Sequence, residues 1–344
     1  MKKLCLFGVL CVLVLAIAGC PPGRMVFEKG KTFYQINDDD TNLSGPILSL
    51  PPSPANYAYG FPDVSHDGSK VAFVLDSNGM GYGILWTMNR DGTGLKQITP
   101  NSIPPLNSPT SMPKWYPDQS FIAYSKGAQG IWKVAPNLNL NVIEEGVKIC
   151  DTGIRDNNGF DINKPLSGPL QLIFSHHETG DSSYKLYRLN TVSCIRTPVP
   201  PVQTQLGVPV SDINETFPAV SIGQDILVNA VKWGSNIGIR MRNIDQNGVI
   251  GLFPVTMRLQ GFTSSFNITG LSMAGESNAI YFSAQLGSSN SQIYVIAAKE
   301  YVAILGNMIS SPPGIPPPPV SVTPKKLINT GPDDSRWPSG IYEP

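Results

Sequence analysis

The segment "FPDVSHDGSKVAFVLDSNGMGYGILWTMNRDGTGLKQIT", residues 61–99, spells out four short strands divided by turns. Asp67-Gly68 and Asp91-Gly92 carry the turn chemistry: an Asp side chain that can bond the backbone two residues on, and a Gly free to take positive φ. Residues 71–74 and 84–88 are short apolar runs of β-prone residues, 61–65 precede them and 95–98 follow. We label the strands a to d. Gly79-Met80-Gly81-Tyr82-Gly83 lies between strands b and c and opens no helix, which makes it a hairpin loop rather than a phosphate loop.

The unit recurs, and recurrence at a fixed period decides a fold. "MPKWYPDQSFIAYSKGAQGIWKV" at 112–134 sets Pro113 for Pro62, Tyr124 for Phe73 and Trp132 for Trp86. "GPLQLIFSHHETGDSSYKLYRLN" supplies Phe174 and Tyr187, "FPAVSIGQDILVNAV" supplies Pro218 and Val228, and "SNAIYFSAQLGSSNSQIYVIAA" supplies Phe282 and Tyr294. The strand-b anchors Phe73, Tyr124, Phe174, Val228 and Phe282 stand 51, 50, 54 and 54 residues apart. A sixth unit is split. Tyr34 lies 52 residues before Trp86, and "RMVFEKGKTFYQINDD" aligns with "FIAYSKGAQGIWKVAPN", Phe27 matching Tyr124, so strands b, c and d come from the N-terminal end. Its strand a is "RWPSGIY" at 336–342, with Trp337-Pro338 for Phe61-Pro62. The reading is an all-β, six-bladed β-propeller whose closing blade takes strand a from the C-terminal end, an arrangement that leaves no free sheet edge. Pro218 to Pro338 is 120 residues, while Pro113 to Pro218, also two repeats, is 105; the excess of 15 matches "SSPPGIPPPPVSVTP" at 310–324. We read that stretch as an extended, polyproline-like insertion between strands c and d of blade 5, the alternative being a domain linker.

On these motifs, "PDVSHDGSKVAFV" and "ILWTMNRDGTGLKQIT", the chain resembles the TolB-type propeller repeat; the match is specific in the first unit and weak in units three to five, where the Asp-Gly turn is lost. The resemblance implies a six-bladed propeller of the bacterial envelope, or a propeller module attached to an enzyme, and implies no activity.

Pro is 32 of 344 residues, close to twice the usual ~5%, as many turns require. Lys and Arg balance Asp and Glu at 25 each, and removing Lys2 and Lys3 with a leader leaves 23 against 25, which argues against a nucleic-acid partner. Those lysines precede an apolar run, 4–18, that is short for a span and suited to a secretory leader. It ends in "IAGC", which resembles a lipobox, with Cys20 as the acylated first residue; an ordinary cleavage site is the plainer alternative. The expected organisation is a lipoprotein signal peptide at 1–19, a short tether at 20–24 and the propeller over 25–344, exported, lipid-anchored in the cell envelope and monomeric. Cys150 and Cys194 then remain. Pairing is the default in an exported chain, but both fall near strand d of adjacent blades, roughly 20 Å apart by strand spacing, against the ~7 Å a bridge tolerates. The expectation is that they do not pair.

Catalytic constellations are absent from the sequence. His66 lies in a turn, and His176 and His177 follow a strand, without a G-x-S-x-G elbow or an H-E-x-x-H motif, so all three read as solvent-facing. Asp38-Asp39-Asp40 occupies a c–d turn and reads as turn chemistry rather than a metal site; no cofactor is implied. The d–a loops of a propeller converge on one mouth of its channel, and here they carry Asp156, Asp161, Asp212, Glu215, Asp333 and Asp334 against Arg155 and Arg336, with Tyr57, Tyr59 and Phe61 at the rim. That mouth is expected to be acidic and to take a cation or a basic protein or peptide partner. A non-catalytic binding scaffold follows, with an enzyme of lyase or hydrolase type, or a glycan or small-molecule receptor, as the alternatives; channel-lining His, Tyr or Arg of shifted pKa would favour the enzyme.

Overall fold

The computed structural model describes residues 24–341, less 48–57, 77–82, 101–109, 137–142, 151–158, 200–211, 274–278, 301–318, 328–334 and a few loop positions one to three residues long. Its six sheets follow the repeat. Blade 1 is Ala58–Val64, Lys70–Asp76, Gly83–Asn89 and Lys96–Gln97, and blade 2 is Thr110–Trp115, Ile122–Lys126, Ile131–Val134 and Val147–Lys148. Blade 3 is Phe160–Asn163, Gln171–His176, Lys185–Asn190 and Arg196–Pro198, and blade 4 is Ile213–Val220, Ile226–Trp233, Asn236–Asn243 and Val255–Leu259. Blade 5 is Phe266–Met273, Ile280–Leu286, Gln292–Ile296 and Lys325–Lys326. Blade 6 joins Ser335–Ile341 to Arg24–Lys29 and Thr32–Asn37, so strand a does come from the far end of the chain.

The aromatic anchors read from the sequence face one another across strands b and c: Phe73 opposite Trp86, Tyr124 opposite Trp132, Phe174 opposite Tyr187, Phe282 opposite Tyr294 and Phe27 opposite Tyr34. Each blade is sandwiched between two others, so strand b is covered on both faces and needs a continuous apolar run rather than an alternating one; every residue of Gln171–His176 is buried. Six apolar clusters fill the six gaps between blades. Phe33, Val64 and Phe73 lie between blades 6 and 1, and Met25, Tyr281 and Ile293 between blades 5 and 6.

Strand a is bent where the repeat carries proline. Ladder registers shift between Gly60 and Asp63, between Ser111 and Lys114 and between Thr216 and Ala219, around Pro62, Pro113 and Pro218. Proline has no N–H to give a ladder, so it settles at bulges. Blade 3 has Phe160 at this place and pairs without a shift.

The insertion lies between strands c and d of blade 5, since Gln292–Ile296 pairs with Lys325–Lys326. Its end, Val320–Val322, runs parallel to Val255–Leu259 and becomes a fifth strand on blade 4, with the Gln260 N–H donating to the Val322 carbonyl at 2.8 Å. Residues 310–318 lie outside the described residues.

Strand d of blade 6 comes from the N-terminal end, shortened to the bridge of Gln35 with Ser44 and the Ile47 N–H donating to the Phe33 carbonyl at 2.9 Å on either side of Pro46, which cannot donate to a ladder. One expectation is corrected. Cys150 and Cys194 form a disulfide with Cα atoms 5.6 Å apart. Strand spacing put both near strand d and far apart; Cys194 sits in the c–d turn of blade 3, between Lys185–Asn190 and Arg196–Pro198, at a positive φ of 56°, where the turn reaches blade 2.

Candidate functional site: the central channel

The inner strands line a channel, and the repeat stacks equivalent residues of strand a into rings. One ring is apolar. Pro62, Pro113, Phe160, Pro218, Gly270 and Pro338 stand at one position, preceded by Phe61, Gly159, Phe217 and Thr269, and line a recess on the d–a side whose free space, open solvent included, is about 430 Å³. Phe61 and Phe217 hold φ of 56° and 49°, a left-handed conformation unfavourable for an aromatic residue; both sit at the bulge and line the recess, and Phe217 also packs on the apolar cluster between blades 4 and 5.

The next residue along strand a forms a polar ring. Asp63 accepts from the Trp115 N–H at 2.8 Å, Asp161 accepts from the Val220 N–H at 2.8 Å, and Ser339 Oγ accepts from the Val64 N–H at 3.0 Å. Each bond joins one blade to the next at the same repeat position, linking blades 1 to 2, 3 to 4 and 6 to 1. Lys114 occupies this position in blade 2 and donates to Asp63 at 3.0 Å. With His66, Ser65 and Gln224 these groups line a second cavity, about 490 Å³, on the side of the a–b turns. Burial works against the Lys114 charge, but Asp63 and Asp161 outweigh it and raise its pKa above the usual lysine value. Burial raises the Asp161 carboxyl, Lys114 opposes this, and Asp63 adds to it. Burial lowers His66, against the pull of Asp63 and Asp161.

The acidic mouth expected from the d–a loops is therefore taken apart. Asp212 is exposed there. Glu215 is buried, accepting from Arg240 at 2.8 Å and Arg242 at 3.0 Å on strand c of the same blade, on the side facing blade 3. Burial opposes its charge, and the two guanidiniums overcome this to lower its pKa. Asp161 belongs to the polar ring at the other end of the channel. Strand direction carried both away from the rim: each lies inside strand a, not before it. Asp156, Asp333, Asp334 and Tyr57 lie outside the described residues, as does Cys20, and Tyr59 is described only by its backbone pairing with Leu75.

The histidines are corrected as well. His66 is half-buried at the polar cavity and His176 is buried in strand b of blade 3, while His177 is exposed. Asp39 closes its turn by accepting from the Thr41 N–H at 2.9 Å. Sequence reasoning missed Asp63, Lys114 and His66 as channel residues. The signal was available: the repeat alignment puts Asp63, Lys114 and Asp161 in one column, and a column of strand a faces the axis.

The solved structure of TolB from Acinetobacter baumannii matches with a TM-score of 0.57 at 12% identity over 93% of this chain and 66% of that one, so the chain spans just under two-thirds of that protein. The fold is a TolB-like six-bladed propeller. A putative TolB from Agrobacterium tumefaciens matches at 0.52 and 9% identity over 95% of this chain and 100% of that one. A chain of a nidogen/laminin complex matches at 0.54 and 8% over 93% and 98%. No protein-family model and no curated protein matches the sequence.

Proposed function

We propose that this chain is an exported lipoprotein, anchored through Cys20, that acts in the bacterial cell envelope as a non-catalytic scaffold binding a protein or peptide in its channel. The domain reading is unchanged: leader 1–19, tether 20–24, propeller 25–344, monomeric. The observation that carries it is the ring of Phe61, Phe160, Phe217 and four prolines around a solvent-open recess, an apolar, preshaped surface with hydrogen-bonding Thr269 at its edge. Rigid aromatic pockets of this kind anchor partners at protein interfaces. The disulfide supports export, since such bonds persist in oxidising compartments. Among structural relatives, the nidogen chain was solved in a complex with laminin.

A second reading, an enzyme or small-molecule receptor, has one observation in its favour: Asp161, Lys114 and His66 with shifted pKa values around one cavity. Against it, both carboxylates are engaged by the backbone of the following blade and serve the fold.

The test exploits the left-handed backbone. Phe61→Asn with Phe217→Asn takes two of the three aromatic rings from the recess and puts in residues better suited to positive φ. Affinity capture from a native envelope should recover a partner with the unaltered chain and lose it with the double variant at equal Tm. Undiminished capture by the variant would sink the channel reading.

A further inference from the structure

We propose that the face formed by the a–b and c–d turns docks on a lipid bilayer, with the turns of blade 3 seated at the boundary of headgroups and acyl chains. The inference deepens the lipid-anchor reading above.

The first observation is where apolar side chains are exposed. Leu166, in the a–b turn of blade 3, is 87% exposed, and Val192 and Ile195, in its c–d turn, are 80% and 61% exposed. Val249 in the c–d turn of blade 4 and Val147 at the start of strand d of blade 2 extend the patch on either side. Among the described residues, Leu286 is the one large exposed hydrophobic on a b–c turn, at the opposite face. Leu43, Leu95 and Ile143 lie on the same face at blades 6, 1 and 2 but are less exposed, at 39%, 38% and 49%. The most exposed side chains gather at blade 3, and scattered exposed leucines need no explanation while such a cluster does.

The second observation is charge. The corresponding turns hold Asp67 and Asp91 in blade 1, Asp118 in blade 2, Asp225 and Asp245 in blade 4, and Asp39 and Asp40 in blade 6. Residues 164–170 and 191–195 of blade 3 hold no carboxylate. Loss of the Asp-Gly turn in this unit is thus an exchange of acid for aliphatic surface, the substitution an interfacial segment requires.

The third is rigidity. The Cys150–Cys194 disulfide ties the c–d turn to blade 2. The Ser167 N–H donates to the Gln246 carbonyl at 3.0 Å and Ser167 Oγ donates to Asn247 at 2.7 Å, tying the a–b turn to blade 4. The aliphatic tips are therefore held out in fixed positions, with little ordering left to lose on docking.

The occupant follows from where the chain enters. Strand b of blade 6 begins at Arg24 on this same face, opposite Ile341, and Cys20 lies four residues earlier. Four residues span at most about 14 Å. An acyl chain on Cys20 thus brings this face to the bilayer at blade 6, and blade 3 lies across the ring, roughly 40 Å away by strand spacing. One tether alone leaves the disc free to tilt; a second, apolar contact on the far side holds it flat.

The lipidated full chain is reconstituted in phosphatidylcholine vesicles carrying nitroxide-labelled lipid. With Cys20 acylated and Cys150 paired to Cys194, a fluorophore attaches only at an introduced thiol: Leu166→Cys, Val249→Cys or Leu286→Cys. Quenching is expected to be several-fold stronger at position 166 than at 286, with 249 between them. Leu166→Asp with Val192→Asp, at exposed positions that leave Tm unchanged, should lower quenching at 249 several-fold. Flotation of the native chain against Cys20→Ala reads the anchor separately. Flotation with equal quenching at 166 and 286 overturns the docking face and leaves the anchor; no flotation and no quenching overturn both. Protection of position 166 only on adding envelope protein would assign the patch to a protein partner and overturn the lipid.

Discussion

Blade 1 and blade 3 hold the same kind of residue at the channel and differ at the turns. In blade 1, Asp67 organises the a–b turn by accepting from the Ser65 hydroxyl at 2.6 Å and the Ser69 N–H at 3.0 Å; burial opposes its charge, but these bonds bring its pKa down to about 2. Blade 3 has no such Asp: in its c–d turn Asn190 accepts from the Val192 N–H at 2.9 Å and the Ser193 N–H at 3.0 Å, and the disulfide to blade 2 adds to this, while its a–b turn is held by Ser167 donating to Gln246 of blade 4. Yet Asp63 and Asp161 make the same bond to the next blade. In blade 3 other bonds stand in for the Asp of the a–b turn, while the latch at the axis, which joins this blade to the next, is kept.

The contrast breaks most sharply at the side of blade 4 facing blade 3. Glu215→Gln removes the carboxylate between two buried guanidiniums, and unpairing a buried ion pair costs about 3–5 kcal/mol. Asp63→Asn in blade 1 keeps an acceptor for Trp115 but takes one of the two carboxylates that sustain the Lys114 charge, and should cost about 1–3 kcal/mol; urea titrations of the two variants measure the gap. The Glu215 pKa is lowered in the fold, so its stabilisation is complete above its free value of 4.5 and is lost as pH falls through the lower folded value. The difference between wild type and Glu215→Gln should therefore narrow in acid. A constant difference down to pH 3 would remove the ion pair as its cause.

A smaller effect sharpens the comparison. Cys150→Ser with Cys194→Ser opens a link of sequence separation 44, expected to cost about 2–4 kcal/mol. Amide exchange should accelerate at 147–150 and 190–196 while 64–76 in blade 1 stays protected. Equal acceleration in both blades would show that the bond serves the ring rather than blade 3.

Smallest is Asp67→Ala, which takes the acceptor from the buried Ser65 hydroxyl and from the Ser69 N–H and should cost about 1–2 kcal/mol. Its exchange signature is expected in blade 1 only, at amides 65–71. An effect reaching blade 3 would refute the local character of the turn.

Phe73, Tyr124, Phe174 and Phe282 disclosed the period because a blade packed between two others needs a large apolar residue at the same strand position each time, and such a need is written residue by residue. The split closure, visible in Trp337-Pro338, and the placement of the Pro-rich insertion were legible by the same counting. The channel was less so. Asp161 and Glu215 read as rim acids because the start of strand a was placed too late, and a shift of a few residues along that strand moves a side chain from a mouth to the axis or to a blade interface. The disulfide was missed because strand spacing measures distances within sheets and takes no account of a turn leaning toward its neighbour.

What the sequence by itself determined is the number of blades, their order and the residues that pack between them, since these depend on local periodicity. What only the tertiary structure decided is which distant residues meet: Asp63 with Trp115 and Asp161 with Val220 in sequential blades, Glu215 with Arg240 and Arg242, Cys150 with Cys194, and Val320–Val322 along the edge of blade 4. Those meetings depend on bulges, turn directions and strand lengths, small geometric terms that accumulate along the chain and that no single residue type announces.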